Sequence, residues 1–114
     1  MKAKIKKLWV EALKSGDYTK GTHQLRSNGD RFCCLGVLCN LHAQAHPEIA
    51  AEQILPYRYL GESTFLPPEV QAWAGLKENN PVVKTGSLEY TLSYVNDNLE
   101  YDFPAIAKFI EKSL

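Results

Sequence analysis

The chain has 114 residues, 45% hydrophobic and 23% charged, with 13 basic and 13 acidic side chains. That length supports one domain with its own core, so a single compact domain over residues 1–114 is expected. The balanced charge argues against a general nucleic-acid binder. No run approaches the roughly 20 apolar residues of a membrane span, so no membrane partner is expected. The N-terminus lacks the apolar stretch of a secretory signal. Three cysteines, two of them adjacent, make a poor disulfide framework and suit a reducing compartment, so a cytoplasmic location is expected.

Ile5, Leu8, Trp9, Ala12 and Leu13 recur at helical spacing, predicting an amphipathic helix over residues 2–15, with Gly16 as its C-terminal glycine. Lys2, Lys4, Lys6 and Lys7 in the same run read as a solvated helix face. "SNGD" predicts a hairpin turn because Asn-Gly accepts positive φ, with strands near 22–26 and 30–33. Cys34, Val37, Leu38, Leu41 and Ala45 predict a second helix over 34–45, ended by His46-Pro47. "PEIAAEQ" reads as a short helical turn opened by Pro47. The middle has no clean period, with Tyr59, Phe65 and Leu66 assigned to short strands. Pro67 or Pro68 opens a helix that turns Val70, Trp73 and Ala74 inward and stops at Gly75. "NPVVKTGSLEY" predicts two short strands about Thr85-Gly86, and a helix over 91–98 follows with Leu92 and Val95 inward. Asp102 is the expected N-cap of a last helix burying Phe103, Ile106, Ala107, Ile110 and Leu114. The expected class is α+β, with about four to five helices and short antiparallel hairpins.

The stretch "RSNGDRFCCLGVLCNL" holds all three cysteines. Structural zinc sites pair their cysteines at short spacing, and no second pair exists here. Cys39, His42 and His46 fall on one helix face, but His46 precedes a proline. Cys33 or Cys34, at a helix start with His23 across the hairpin, is the candidate for a nucleophile. Against it stands the apolar character of "FCCLGVLC", which favours packing, and Gly36 supports close approach of another element. No nucleotide-binding loop or other cofactor motif is present, so no cofactor and no metal are expected. Lys20, His23, Gln24, Arg26 and Arg31 cluster on the predicted hairpin, as an anion site or as a solvated face. Strand alternation puts Gln24 and Arg26 on one face, and the Asn28-Gly29 turn would bring Arg31 back beside them. The polar "VNDN" reads as a helix end followed by the Asp102 cap.

Taken together, "LWVEALKSGDYTKGTHQLRSNGDRFCCLGVLCNL", "YLGESTFLPPEVQAWAGL", "NPVV" and "LSYVNDN…FPAIAKFIE" resemble a family of small proteins common in tailed phages, prophages and some bacteria. Its pattern maps here as a W-x-x-A-L-x-S-G helix, a K-G-x-x-x-L-R strand and a C-C-L-G-V-L-C helix. An L-P-x-x-V-x-x-W-A-G-L segment and a closing N-D…F-x-x-I-A-x-x-I-E region complete it. The resemblance spans Leu8 to Glu111, and Asn98 stands where a glycine often follows the N-D pair. It implies a phage-like setting, in which small non-enzymatic proteins block or sequester host factors, and it supplies no catalytic residues.

The expected function is therefore a non-enzymatic, phage-type binding protein with a counter-defence role, cytoplasmic in a bacterial host. It would sequester an anionic nucleotide-like signal or block a host protein. Lys20, Gln24, Arg26 and Arg31 would hold phosphate, and Tyr59 or Trp73 would stack a base; Tyr57 is a further stacking candidate. A homo-oligomer is compatible with so small a chain. Two alternatives stay open: a small cysteine-dependent hydrolase or transferase, and an interaction protein without a small-molecule ligand.

Overall fold

The computed structural model describes residues 1–51 and 57–114. In chain order these form α1 (Ala3–Lys14), β1 (Thr19–Lys20), β2 (Arg26–Ser27), β3 (Arg31–Phe32), α2 (Cys34–Ala45) and α3 (Pro47–Ala51). There follow α4 (Pro68–Ala74), β4 (Val82–Thr85), β5 (Leu88–Thr91), α5 (Leu92–Asn98) and α6 (Phe103–Ser113). The domain is mixed α+β, with six helices and two small sheets among the described residues. The expected helical turn opened by Pro47 is α3, and the Gln53 end of that stretch lies outside the described residues.

Helix α2 is the hub. Its first two turns bury Cys34, Leu35, Gly36, Val37, Leu38 and Cys39, so it is apolar all round, as a helix enclosed by others must be. Helices α1, α4 and α5 and strand β3 all pack on it, while α6 lies along α1 and β4. The indole of Trp9 is fully buried and its Nε1–H donates to the Cys34 carbonyl at 2.9 Å, tying α1 to the start of α2. Trp73 packs against the same core while remaining partly exposed.

Two inward faces are rotated from the expected ones. In α1 the buried residues are Ile5, Trp9, Val10 and Leu13, and Leu8 is 41% exposed. Val10 takes the inward place because the buried stripe centres on Trp9 and Leu13, about 100° or more from Leu8. In α2 the last buried side chain is His42, while Leu41 is half-buried and Ala45 exposed.

The first sheet also differs from expectation. Its order is β1-β3-β2, with β1 parallel to β3 and β2 antiparallel to it, so the sheet is not a simple hairpin. The β2–β3 connection has three residues, Asn28 to Asp30, and the positive φ values fall on Gly29 (78°) and Asp30 (53°). Ser27 therefore faces Arg31, and Arg26 faces Phe32. A two-residue loop would have set Arg26 opposite Arg31. The extra residue sends Arg31 to the other face. In the middle segment, Tyr59 makes one isolated bridge with Glu62, and Phe65 and Leu66 lie outside strands.

The chain's end follows expectation more closely. The Asp102 carboxylate accepts from Ala105 N–H at 3.0 Å, and α6 buries Phe103, Ile106, Ala107 and Ile110, leaving Leu114 half-buried. The β4–β5 hairpin forms about Gly86, with Val83 facing Tyr90 and Lys84 facing Glu89.

Candidate functional site

Directly opposite residues of paired strands project to the same face, so the β1-β3-β2 register sorts the hairpin cations. Lys20, Phe32 and Arg26 form one cross-strand row; Thr19, Arg31 and Ser27 form the next, on the opposite face. Gly21, two residues on from Thr19, lies on the same face as the second row. A Cβ there would stand 2.8 Å from the Arg31 Cβ and 3.2 Å from the Ser27 Oγ, so a bare backbone is needed beside Arg31. Gln24 is exposed next to buried Leu25, whose N–H donates to the Ser63 carbonyl at 2.8 Å.

The two arginines differ in what is left for a ligand. Arg26 is ion-paired with Asp30, and its guanidinium carbon lies 5.6 Å from the centroid of Phe32, which Tyr18 meets edge-on at 5.2 Å. Arg31 is exposed and makes no ion pair or side-chain hydrogen bond among the described residues. Its cross-strand partners, Thr19 and Ser27, are both hydroxyl residues. A guanidinium in a row with two hydroxyl residues can receive a phosphate-sized anion.

On the Arg26 side opens a groove of about 700 Å³ between α1, the sheet and α2. Leu8, Tyr18, Phe32 and Leu41 supply apolar wall, and Asn40 and Gln44 supply amides. Glu11, Asp17 and Asp30 outnumber Arg26 there, so the groove is acidic. The Asn40 amide donates to the Tyr18 hydroxyl at 2.7 Å.

Tyr59 and Trp73 meet elsewhere. His42, only 3% exposed, shares a 2.7 Å hydrogen bond between its Nδ1 and the Tyr59 hydroxyl. His46 stacks on His42 at 4.2 Å, its Nδ1–H donating to the His42 carbonyl, and Trp73 presents an edge to His42 at 5.1 Å. Burial, then the neighbouring His46, lowers the His42 pKa, and burial first pushes Tyr59 up to about 12. At 100° per residue, His42 and His46 lie on the face of α2 opposite Asn40 and Gln44. No hydrogen bond, ion pair or ring contact among the described residues joins Tyr59 or Trp73 to Lys20, Gln24, Arg26 or Arg31. Tyr57 is 40% exposed.

The cysteines are free and buried. Burial pushes Cys33 up to about 11, and the Asp97 carboxylate pushes the same way; the N–H groups of Leu35 and Gly36 pull it back only in part. At pH 7 such a thiol is held in its protonated form. Cys34 and Cys39 are raised further, by burial first. Alkylation with iodoacetamide at pH 7 should therefore find no fast-reacting thiol in the native protein and three after denaturation. One fast native thiol would contradict the buried placement.

Sequence reasoning missed Asn96. It lies fully buried on α5, accepts from Cys34 N–H at 3.0 Å and donates to the Gly21 carbonyl at 2.9 Å and to Asp97 Oδ1 at 2.8 Å. Asp97 Oδ1 also accepts from His23 N–H at 3.1 Å, which holds His23 at φ 71°. The "VNDN" knot thus positions the β1–β2 connection and the start of α2. The available signal was position: Asn96 follows Leu92 by four residues and sits on the inward stripe.

The domain so assembled is a small α+β scaffold presenting a short cationic sheet beside an acidic groove. The chain belongs to the family described as a domain of unknown function, DUF8296, whose model matches residues 1–114. No curated protein and no solved structure matches it. Among the described residues, no helix is long and apolar enough to cross a membrane.

Proposed function

We propose that this protein is a non-enzymatic binding protein that captures a small anionic, nucleotide-like ligand on the Arg31 face of the β1-β3-β2 sheet. The observation that carries this reading is the row Thr19–Arg31–Ser27, in which Arg31, exposed and without an ion pair among the described residues, pairs across the strands with two hydroxyl residues, its Cβ beside the bare backbone of Gly21. Gln24, exposed on the β1–β2 connection, adds an amide, whereas Lys20 falls in the Arg26 row on the other face and is left out of this site. Arg26 contributes less because Asp30 already neutralises it. Tyr59 and Trp73 are engaged with His42 and His46 and are left out of this site. The protonated, buried thiols favour binding over cysteine catalysis. The resemblance to small phage and prophage proteins supports a setting inside an infected bacterium, where capture of such a signal would counteract host defence.

The test is a thermal-shift screen with inorganic phosphate, mononucleotides and cyclic dinucleotides, followed by calorimetry on whichever probe binds. A probe at 100 times its dissociation constant should stabilise the fold by about 2.7 kcal/mol. One charged hydrogen bond is worth about 1.5–3 kcal/mol, so Arg31→Ala should weaken binding roughly tenfold or more, and Arg26→Ala distinctly less. No stabilisation by any probe, or an unchanged affinity in Arg31→Ala, would overturn the reading.

A further inference from the structure

Helix α1 carries most of its charge the wrong way round for its own dipole. A helix N-terminus exposes unsatisfied N–H groups and a partial positive charge, so acidic side chains stabilise it and basic ones do not. Here Lys2 is the N-cap residue, Lys4, Lys6 and Lys7 fill the first two turns, and the first turn has no acidic residue. Glu11 sits towards the opposite end; Lys14, the one well-placed cation, bonds to Glu111 at 2.8 Å. The same helix leaves Leu8 41% exposed. At 100° per residue, Lys4 and Glu11 differ by about 20° and Leu8 lies about 40° from Lys4, so all three share one outward face. Neither Lys4 nor Glu11 has an ion-pair partner among the described residues.

We propose that this face of α1 pairs with the same face of a second copy of the chain, the two helices running antiparallel about a two-fold axis near Lys7 and Leu8. Such an interface is self-complementary. Lys4 of each copy meets Glu11 of the other, seven residues or about 10.5 Å along the helix. Leu8 of each copy comes over the apolar groove wall made by the other's Tyr18, Phe32 and Leu41. Asp17, at the Glu11 end of the groove, adds negative charge where the other copy's lysines arrive. Other partners satisfy only half of this surface. An anionic lipid or nucleic acid would hold Lys4 and Lys7 but repel Glu11 and Asp17, and a cationic peptide would do the reverse. An antiparallel copy offers both charges in the matching order, so the reversed pattern of α1 serves association at the expense of local helix stability.

Sedimentation velocity of the full chain over a wide concentration range tests this. The expected result is a reversible monomer–dimer equilibrium that weakens with added salt. Lys4→Glu and Glu11→Lys should each weaken it about tenfold or more, and the double variant Lys4→Glu/Glu11→Lys should restore it. Lys4→Glu puts an acid in the first helical turn, so the monomer's melting temperature should hold or rise even as the dimer is lost. That separates a broken interface from a damaged fold. A wild type that stays at monomer mass throughout, single reversals that leave the dimer intact, or a charge swap that fails to restore it would each overturn the proposal. Binding of monomers to anionic vesicles or DNA in place of dimerisation would do so too.

Discussion

Gly36→Ala is expected to lower the melting temperature by roughly 10–20 °C, the equivalent of about 3 kcal/mol in a domain of this size. A Cβ at Gly36 would fall 1.7 Å from the Leu25 carbonyl oxygen, 2.6 Å from its carbon and 3.0 Å from its Cα. These are backbone atoms, so no side-chain rotation relieves the overlap. Leu25 is itself pinned by its N–H bond to the Ser63 carbonyl, and its side chain lies in the core. Either α2 or the segment entering β2 must move, and α2 packs against α1, α4, α5 and β3. Gly86→Ala is the control. Its φ is 72° with no atom of the described residues within 4 Å of the added Cβ, so the left-handed backbone cost of roughly 1–2 kcal/mol applies. Circular dichroism melts of the two variants should rank Gly36→Ala well below Gly86→Ala. Equal losses would mean that the α2–Leu25 approach is looser than drawn.

The elements that sequence reasoning placed well are those with a local signal. The bounds of α2, the Asp102 cap and the glycine end of α4 at Gly75 each rest on spacing or on one residue with a fixed preference. The departures come from through-space choices. Two-residue strands have no period, so nothing local to Thr19 and Lys20 announces that they pair in parallel with Arg31 and Phe32. The turn at Asn28 was legible as a turn, but not its length. One more residue in that loop, with Asp30 at positive φ, parts Arg31 from Arg26 and so redraws the candidate site. Leu8 satisfies the same helical rule as Trp9, and which of Leu8 and Val10 goes inside is decided by where α2 and α6 lie against α1. The engagement of Tyr59 and Trp73 with His42 was invisible for the same reason. It is a meeting of three segments, and each looks ordinary alone.

Asn96→Ala should destabilise the fold by about 3–5 kcal/mol, because it strands two buried backbone groups at once and each costs roughly 1–3 kcal/mol unpaired. Cys34 N–H is one of the four donors that the start of α2 cannot satisfy internally. Its own N-cap residue, Cys33, makes no side-chain capping bond among the described residues. The Asn96 Oδ1 supplies that cap from a helix 62 residues away, while its Nδ2 holds the Gly21 carbonyl at the end of β1. The side chain therefore does for α2 what a serine or aspartate usually does from the preceding position. Asn96→Asp sharpens the test. It keeps the acceptor for Cys34 but loses both donors and buries a carboxylate against Asp97 Oδ1, 2.8 Å away in the native protein. Burial and the like charge raise the new carboxyl's pKa above its unfolded value, so the folded state binds the proton more tightly. Stability of Asn96→Asp is then best at low pH and falls as pH rises through that raised pKa, with the sign set by linkage. Denaturant melts from pH 5 to pH 8 should show Asn96→Asp losing ground relative to Asn96→Ala as the pH rises. A parallel pH response of the two variants would mean that the side chain at this position is hydrated, and that the cap on α2 comes from water.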